Sequence, residues 1–329
     1  MHNLKNCFKR GLEKKLSRRK FIKLSFAALA AIFARDSIFF KAIFAASNKE
    51  ESFGRKNRGI KCAHDIVCVQ GQNPYEITAK AIELIGGMQK FVAKNSVVLI
   101  KPNIAWDRAP EYAATTNPDV VAALIDLCFA AGARRVNVFD NTCNESKRCY
   151  FNSGIAQSAR QHGANVFSPD HWNVVRAKFK YESPMENQPI FKEALECDTF
   201  INVPILKHHG LTELTLSMKN LMGVCSGKRG MIHFDIGRKL VDLADFIQPD
   251  LNVIDAYRVL LRHGPQGGNL EDVEYKNKVI VGTDPTLLDS YACRLMGKDP
   301  FAVPYIKSAI ERKFGKFDLE QADILSVSA

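Results

Sequence analysis

Nine cysteines occur among the 329 residues, yet no two of them form a Cys-x-x-Cys pair. Ferredoxin-type clusters are held by thiolates at tight spacing, so the chain offers no such cluster of its own. Cys62 and Cys68 are six apart, as are Cys143 and Cys149. A disulfide such as Cys143–Cys149 suits an oxidising compartment, whereas scattered buried thiols account for the cysteines without any bond. The common nucleotide fingerprints are also missing: there is no G-x-x-x-x-G-K-[ST], and no G-x-G-x-x-G follows an early strand. No G-x-S-x-G elbow and no H-E-x-x-H or H-x-x-x-H spacing occurs, which removes the sequence signals for a serine hydrolase and for a zinc peptidase. Internal repeats and low-complexity tracts are absent. No apolar run reaches the ~20 residues that a membrane-spanning helix needs.

Acidic residues are scarce in one place only. The formal charge is +11, but residues 1–50 hold twelve Lys/Arg against three Asp/Glu, and the remainder holds 34 against 32. The body is nearly neutral, so a nucleic-acid partner has no electrostatic footprint to bind. The basic excess surrounds Ser17-Arg18-Arg19-Lys20-Phe21-Ile22-Lys23, followed by the apolar run Leu24–Ala34. That pattern reads as a twin-arginine export signal, with the twin-arginine translocation machinery as its partner. Extending the apolar run to Ala46 brings in Arg35, Asp36 and Lys41, which speaks against a stable span. Ala45-Ala46-Ser47 offers small residues for cleavage, but Phe44 fits poorly, so an uncleaved leader stays open. The expected location is the periplasm, or the membrane through a retained leader. Because this route carries folded proteins, a metal or redox cofactor taken up before export is expected, its identity unspecified.

The expected organisation is a signal region over residues 1–46, a charged linker over 47–60 and an α/β domain over 61–329. Short apolar strands are read at Ile66–Gln70, Ser96–Lys101, Val136–Asp140, Thr199–Leu206, Leu251–Asp255 and Lys278–Gly282. Between them, Asn73-Pro74 and Asn117-Pro118 place a capping side chain and a first-turn proline ahead of amphipathic runs. Further helices are read at Gly154–His162, Leu214–Met222, Leu240–Ile247, Thr286–Leu295 and Pro304–Phe314, with a polar excursion over Pro169–Gln188. Alternation of this kind implies an α/β fold with a mostly parallel sheet and helices on both faces, in one domain or two lobes.

Four strands end on polar residues: Lys101 before Pro102-Asn103, Asp140 before Asn141-Thr142, Lys207 before His208-His209-Gly210, and Asp255. Ligands of open parallel sheets bind beyond the carboxyl ends of the strands, so Lys101, Asp140, Lys207 and Asp255 are expected to open onto one crevice. Lysines there would clamp negative charge, and neighbouring histidines can supply a metal ligand and a proton donor. A second candidate is Ser217-Met218-Lys219-Asn220, where a buried Lys-Asn pair must be satisfied or aimed into a pocket. The basic, glycine-containing segment Gly223–Gly230 follows, then His233 and Asp235. His263–Gly268 reads as a lid or a tight turn, and Asp284 and Asp289 open a helix.

The segments SVVLIKPNI, ATTNPDVVAALIDL, AGARRVNVFDN, FINVPILKHHGLTELTLSMKNLMGV, LNVIDA, GPQGG and GTDPTLLDSYA together resemble the domain-of-unknown-function 362 family, from about Val97 to Ala292. The resemblance implies an α/β protein. Some members carry a ferredoxin-like cysteine module, and others a twin-arginine leader without it, as here. The family's characteristic positions fall on Lys101, Pro102, Asn103, Asp140, Asn202, Pro204, Lys207 and His208, and then on Lys219, Asn220, His233, Asp255, Gly264, Pro265 and Asp289.

The expected function is an exported protein of unspecified reaction, a cofactor- or metal-associated enzyme or redox protein acting on a small anionic ligand. In it His208, His233 and Lys219 are the catalytic candidates. Lys101, Asn103, Asn202, Lys207 and Asn220 bind substrate, and Asp140, Asp255 and His209 are the metal candidates. Two other readings remain open: a non-catalytic periplasmic ligand-binding protein, and a partner subunit of an iron–sulfur redox protein.

Overall fold

Val97–Pro102 is buried at every position, as a strand covered on both faces must be. In the computed structural model it runs through the middle of the main sheet. Residues 50–329 are described, and they pack as one compact unit. Residues 1–46, read from sequence as an export signal, and the first part of the expected linker lie outside the described residues.

The strands in chain order are β1 (Glu51–Ser52), β2 (Ile66–Gln70), β3 (Val97–Pro102), β4 (Arg135–Val138) and β5 (Asn165–Val166). They continue with β6 (Val174–Ala177), β7 (Pro189–Phe191), β8 (Thr199–Val203), β9 (Ile205–His209) and β10 (Glu213–Thr215). The last three are β11 (Leu251–Leu260), β12 (Val273–Gly282) and β13 (Ile324–Ser328). Ten of them form one sheet in the order β13-β2-β12-β11-β8-β3-β4-β5, with β9 pairing β11 and β10 pairing β9. The pairs β11–β8, β8–β3, β3–β4 and β4–β5 are parallel, while β12 runs antiparallel to both β11 and β2. The sheet is mixed α/β and mostly parallel.

Alternation along β3 divides the core into two layers. Val98 and Ile100 pack with Val121, Leu124 and Ile125 of the helix Pro118–Ala130 on one face. Leu99 points to the other face, among Phe139, Phe200, Leu240 and Leu287. Helix starts follow the sequence chemistry: Asn117 accepts from the Asp119 N–H ahead of Pro118–Ala130, and Asp284 accepts from Thr286 and Leu287 ahead of Pro285–Leu295.

Several elements differ from the sequence reading, β11 and β12 running longer than expected among them. Thr199–Leu206 is two strands, because Pro204 has no N–H to extend the ladder, and its carbonyl accepts from Asp255 N at 2.9 Å instead. Leu214–Met222 is not one helix: β10 occupies its start, Ser217–Asn220 makes one helical turn, and Leu221–Val224 tightens into a 3-10 turn. Within the polar excursion, β6 joins β1 and β7 in a separate three-stranded sheet.

Candidate functional site

Beyond the ends of β3, β4 and β9, the described residues enclose a cleft of about 490 Å³. Lys101, the next-to-last residue of β3, is buried, as is Asp140 just past β4, and their Nζ and Oδ1 atoms stand 2.7 Å apart. Together they form a buried ion pair. Lys101 Nζ donates to Pro102 O at 2.9 Å, and Asp140 Oδ2 accepts from Ile104 N at 2.7 Å. Burial pushes the Lys101 ammonium down, and Asp140 pulls it back up. The ion pair lies against Gly223, whose Cα approaches too closely to carry a side chain.

Further cations have no such counter-charge. Lys207 Nζ donates to Ala114 O at 2.5 Å and reaches Asn103 Oδ1 at 3.4 Å. Lys219 Nζ meets only the Met222 thioether, at 3.5 Å, among the described residues. Arg229 donates to Asn141 O, to Thr142 O at 3.1 Å and to Cys143 Sγ at 3.0 Å. No carboxylate pairs with any of the three among the described residues. Burial first, then the neighbouring Lys219 charge, brings Lys207 down to about 7. Lys219 is brought down to about 8 by burial, with Arg229 adding to the effect.

The two cleft histidines are held in opposite tautomers. His209 Nδ1 accepts from Leu211 N at 3.1 Å, so its proton is on Nε2. His233 Nδ1 lies 3.1 Å from Gly230 O, a carbonyl that can only accept, so its proton is on Nδ1 and Nε2 carries a lone pair. Burial, reinforced by Lys219 and Lys207, pushes His209 down to about 2, and burial with Lys219 lowers His233 as well. The rings stack with centroids 5.9 Å apart. One neutral imidazole therefore offers a donor and its neighbour an acceptor.

Of the residues singled out from sequence, Lys101, Asn103, Asp140, Lys207, His209, Lys219, Asn220 and His233 line this cleft. His208, Asn202 and Asp255 do not. Successive side chains of a strand alternate, so with Lys207 and His209 facing the cleft, His208 faces away, its Nδ1 accepting from Gly264 N at 3.0 Å. Asn202 is buried in an amide ladder, donating to Asn252 Oδ1 and accepting from Asn220 Nδ2, each at 2.9 Å. Asp255 is buried beside the start of Pro118–Ala130, accepting from the N–H of the cap residue Asn117 at 2.7 Å and from Tyr257 N at 3.0 Å. The expected shared crevice thus holds Lys101, Asp140 and Lys207 but not Asp255.

Of the metal candidates, Asp140 and His209 share the cleft and Asp255 lies outside it. Among the described residues no group of three or more His, Cys, Asp or Glu converges, so these residues do not fit a metal centre or an iron–sulfur cluster. Cys143 and Cys149 are free thiols, the first exposed and the second buried.

Sequence reasoning left Arg229 and Cys143 out of the site. The signal for Arg229 was its place in the basic segment Gly223–Gly230. Cys143 lies three residues beyond Asp140 in the same loop past β4, its N–H bonded to Ala105 O at 2.8 Å. Asp289 is a supporting residue: its carboxylate accepts from Ser217 N at 2.8 Å and Met218 N at 3.0 Å, fixing the turn that carries Lys219.

A mixed, mostly parallel sheet with a cationic cleft beyond its strand ends defines an α/β protein with a small-molecule-sized site. The chain belongs to the family described as Domain of unknown function (DUF362), whose model matches residues 98–294. It is similar to the thylakoid-associated protein sll1697 of Synechocystis, 27% identical over an alignment of 240 residues that covers 68% of this chain and 70% of that protein. Among solved structures, the lactate racemase apoprotein of Thermoanaerobacterium thermosaccharolyticum matches with TM-score 0.47 and 12% identity, over 73% of this chain. A Thermotoga maritima protein matches with TM-score 0.43 and 13% identity over 68% of this chain. The chain spans 58% of the length of each of these two structures.

Proposed function

We propose that the cleft binds a small anionic molecule and acts on it. Lys207, Lys219 and Arg229 supply the positive charge, His233 Nε2 takes a proton, and His209 Nε2–H donates a hydrogen bond. The observation that carries this is the pair of buried lysines without a carboxylate partner. A buried, unpaired ammonium costs several kcal/mol, a cost relieved when the amine gives up its proton or when an anion enters beside it. The Lys101–Asp140 ion pair is internally neutral and serves as the floor on which that anion rests.

A thermal-shift screen of small carboxylates, phosphates and sulfate against neutral analogues of the same size tests the proposal. Anions are expected to raise Tm increasingly with their concentration relative to Kd, and their neutral analogues to leave it unchanged. Equal responses to anions and neutral analogues would count against it.

For the whole chain we propose export by the twin-arginine route, supported by Ser17–Lys23 and the short apolar run after it. Replacing Arg18 and Arg19 by lysine should leave the protein in the cytoplasm, as read by cell fractionation. Unchanged export would remove this part of the proposal.

A further inference from the structure

Lys219 differs from the other cations of the cleft in what its nitrogen touches. Lys101 is paired with Asp140, Lys207 is anchored on a carbonyl, and Arg229 is spread over two carbonyls and a thiol. The Lys219 amine has no oxygen partner among the described residues, although it is 7% exposed and lines the cleft. The Met222 sulfur at 3.5 Å is a weak acceptor and does not tie up the nitrogen. The turn beneath it is fixed: Asp289 holds the Ser217 and Met218 amides, and Asn220 donates to Lys101 O at 3.2 Å. A rigid support thus presents an uncommitted amine to a small-molecule-sized space.

We propose that Lys219 forms an imine with the carbonyl carbon of a small α-oxo carboxylate bound in the cleft. This rests on the anion-binding function proposed above and adds the substrate class. Two requirements meet in such a molecule. Its carboxylate supplies the counter-charge that Lys207 and Arg229 lack, and its adjacent carbonyl offers an electrophile to the amine. Lysines activated for this chemistry sit in desolvated sites or beside another cation, and Lys219 has both. The cleft, at about 490 Å³, lies within the range of roughly 300–1,000 Å³ that small-molecule sites occupy.

The neutral Lys219 nitrogen adds its lone pair to the carbonyl carbon while the carbonyl π electrons move onto oxygen. His209 Nε2–H donates a hydrogen bond to that oxygen as charge gathers there. The proton that Lys219 gives up to become neutral is taken by His233 Nε2 and passed to the alkoxide, and a second proton from the nitrogen then follows the same route to the resulting hydroxyl, which leaves as water. Written from the ammonium form, one ammonium and one carbonyl give one iminium and one water. Charge is conserved, and no oxidant or reductant takes part.

The test incubates the full chain with pyruvate or α-oxoglutarate and sodium cyanoborohydride, which reduces an imine to a stable secondary amine. Intact mass and peptide mapping then locate the adduct. The expected result is one adduct on Lys219, about tenfold above that on any exposed lysine and lost in Lys219→Arg, which keeps the charge but cannot form an imine. Acetone, a carbonyl without the carboxylate, should give no adduct there. Mapping the unsubstituted protein makes the result independent of whether Lys219→Arg folds. Adducts spread over surface lysines, or a Tm increase with pyruvate but no Lys219 adduct, would overturn the imine and leave anion binding standing. No adduct and no Tm response to any carboxylate would remove both.

Discussion

Gly223 lies so close to Asp140 that a Cβ built on it would stand 1.8 Å from Asp140 Oδ1. The same methyl would meet Lys101 Cε at 2.5 Å. Neither partner can yield by swinging into solvent, because both side chains are buried beneath the cleft. Gly223→Ala should therefore separate a buried ion pair and cost roughly 3–5 kcal/mol, the range for breaking such a pair. Chemical denaturation measures this directly. A loss below about 1 kcal/mol would mean that the pair is not fixed in this geometry.

Lys219 gives a pH-dependent effect whose sign follows from its pKa. Its folded value, about 8, lies below the ordinary 10.5 of lysine, so between these values the unfolded chain binds more protons than the folded one. Stability from this group therefore rises with pH across that window, and the charged lysine is a burden below it. The groups that face it are Lys207, Arg229, the Lys101–Asp140 pair, Cys143 and the neutral His209 and His233. Lys219→Met without ligand should be more stable than the parent at pH 6 by a few kcal/mol, and the gain should shrink towards pH 10. A gain independent of pH would mean that the lysine keeps its proton throughout.

Asp289 acts through the turn it holds. Asp289→Ala leaves the buried Ser217 and Met218 amides without their acceptor, at a cost of about 1–3 kcal/mol for each unsatisfied group. The variant should also lose anion affinity, although Asp289 is not among the cleft-lining residues. Loss of stability with undiminished affinity would separate Asp289 from the positioning of Lys219.

Cys143 provides a direct probe of occupancy. It is exposed, lines the cleft, and its sulfur contacts Arg229 at 3.0 Å. A bound anion engaging Arg229 should cover the thiol, slowing alkylation by iodoacetamide about tenfold at saturation. Cys62 is half-buried and outside the cleft, so the same anion should leave its alkylation rate unchanged and serve as the internal control. Equal protection of both thiols would indicate global stabilisation rather than a ligand over Cys143.

The sequence carried the sheet well where strands are continuous apolar runs. SVVLIK and TFINV bury every residue, and their period and β-branching leave little choice of structure. The antiparallel partner β12 is harder to read, because its first half, Val273–Lys278, is partly exposed and does not look like a core strand. Lys101, Asp140 and Lys207 were placed correctly because strand ends of a parallel sheet share one edge. Asp255 does not end a strand: β11 runs on to Leu260, and its carboxylate turns inward to the Asn117 amide, a long-range contact that no local pattern encodes. His208 and His209 are indistinguishable in sequence; the register of β9 against β10 decides which one faces the cleft. Arg229 and Cys143 meet across 86 residues, so their association is written only in the tertiary structure.

The central claim is that Lys207 and Lys219 are buried without a counter-charge because an anion supplies it. Isothermal titration of the strongest anion from the thermal screen, at constant ionic strength and at pH 6 and pH 9, tests this most directly. Both lysines are charged at the lower pH and largely neutral at the higher, given values of about 7 and about 8. The account predicts saturable one-to-one binding at pH 6, weaker by about tenfold or more at pH 9 and abolished in the Lys207→Met/Lys219→Met double variant. Binding that is equally tight at both pH values, or that survives in the double variant, would contradict it.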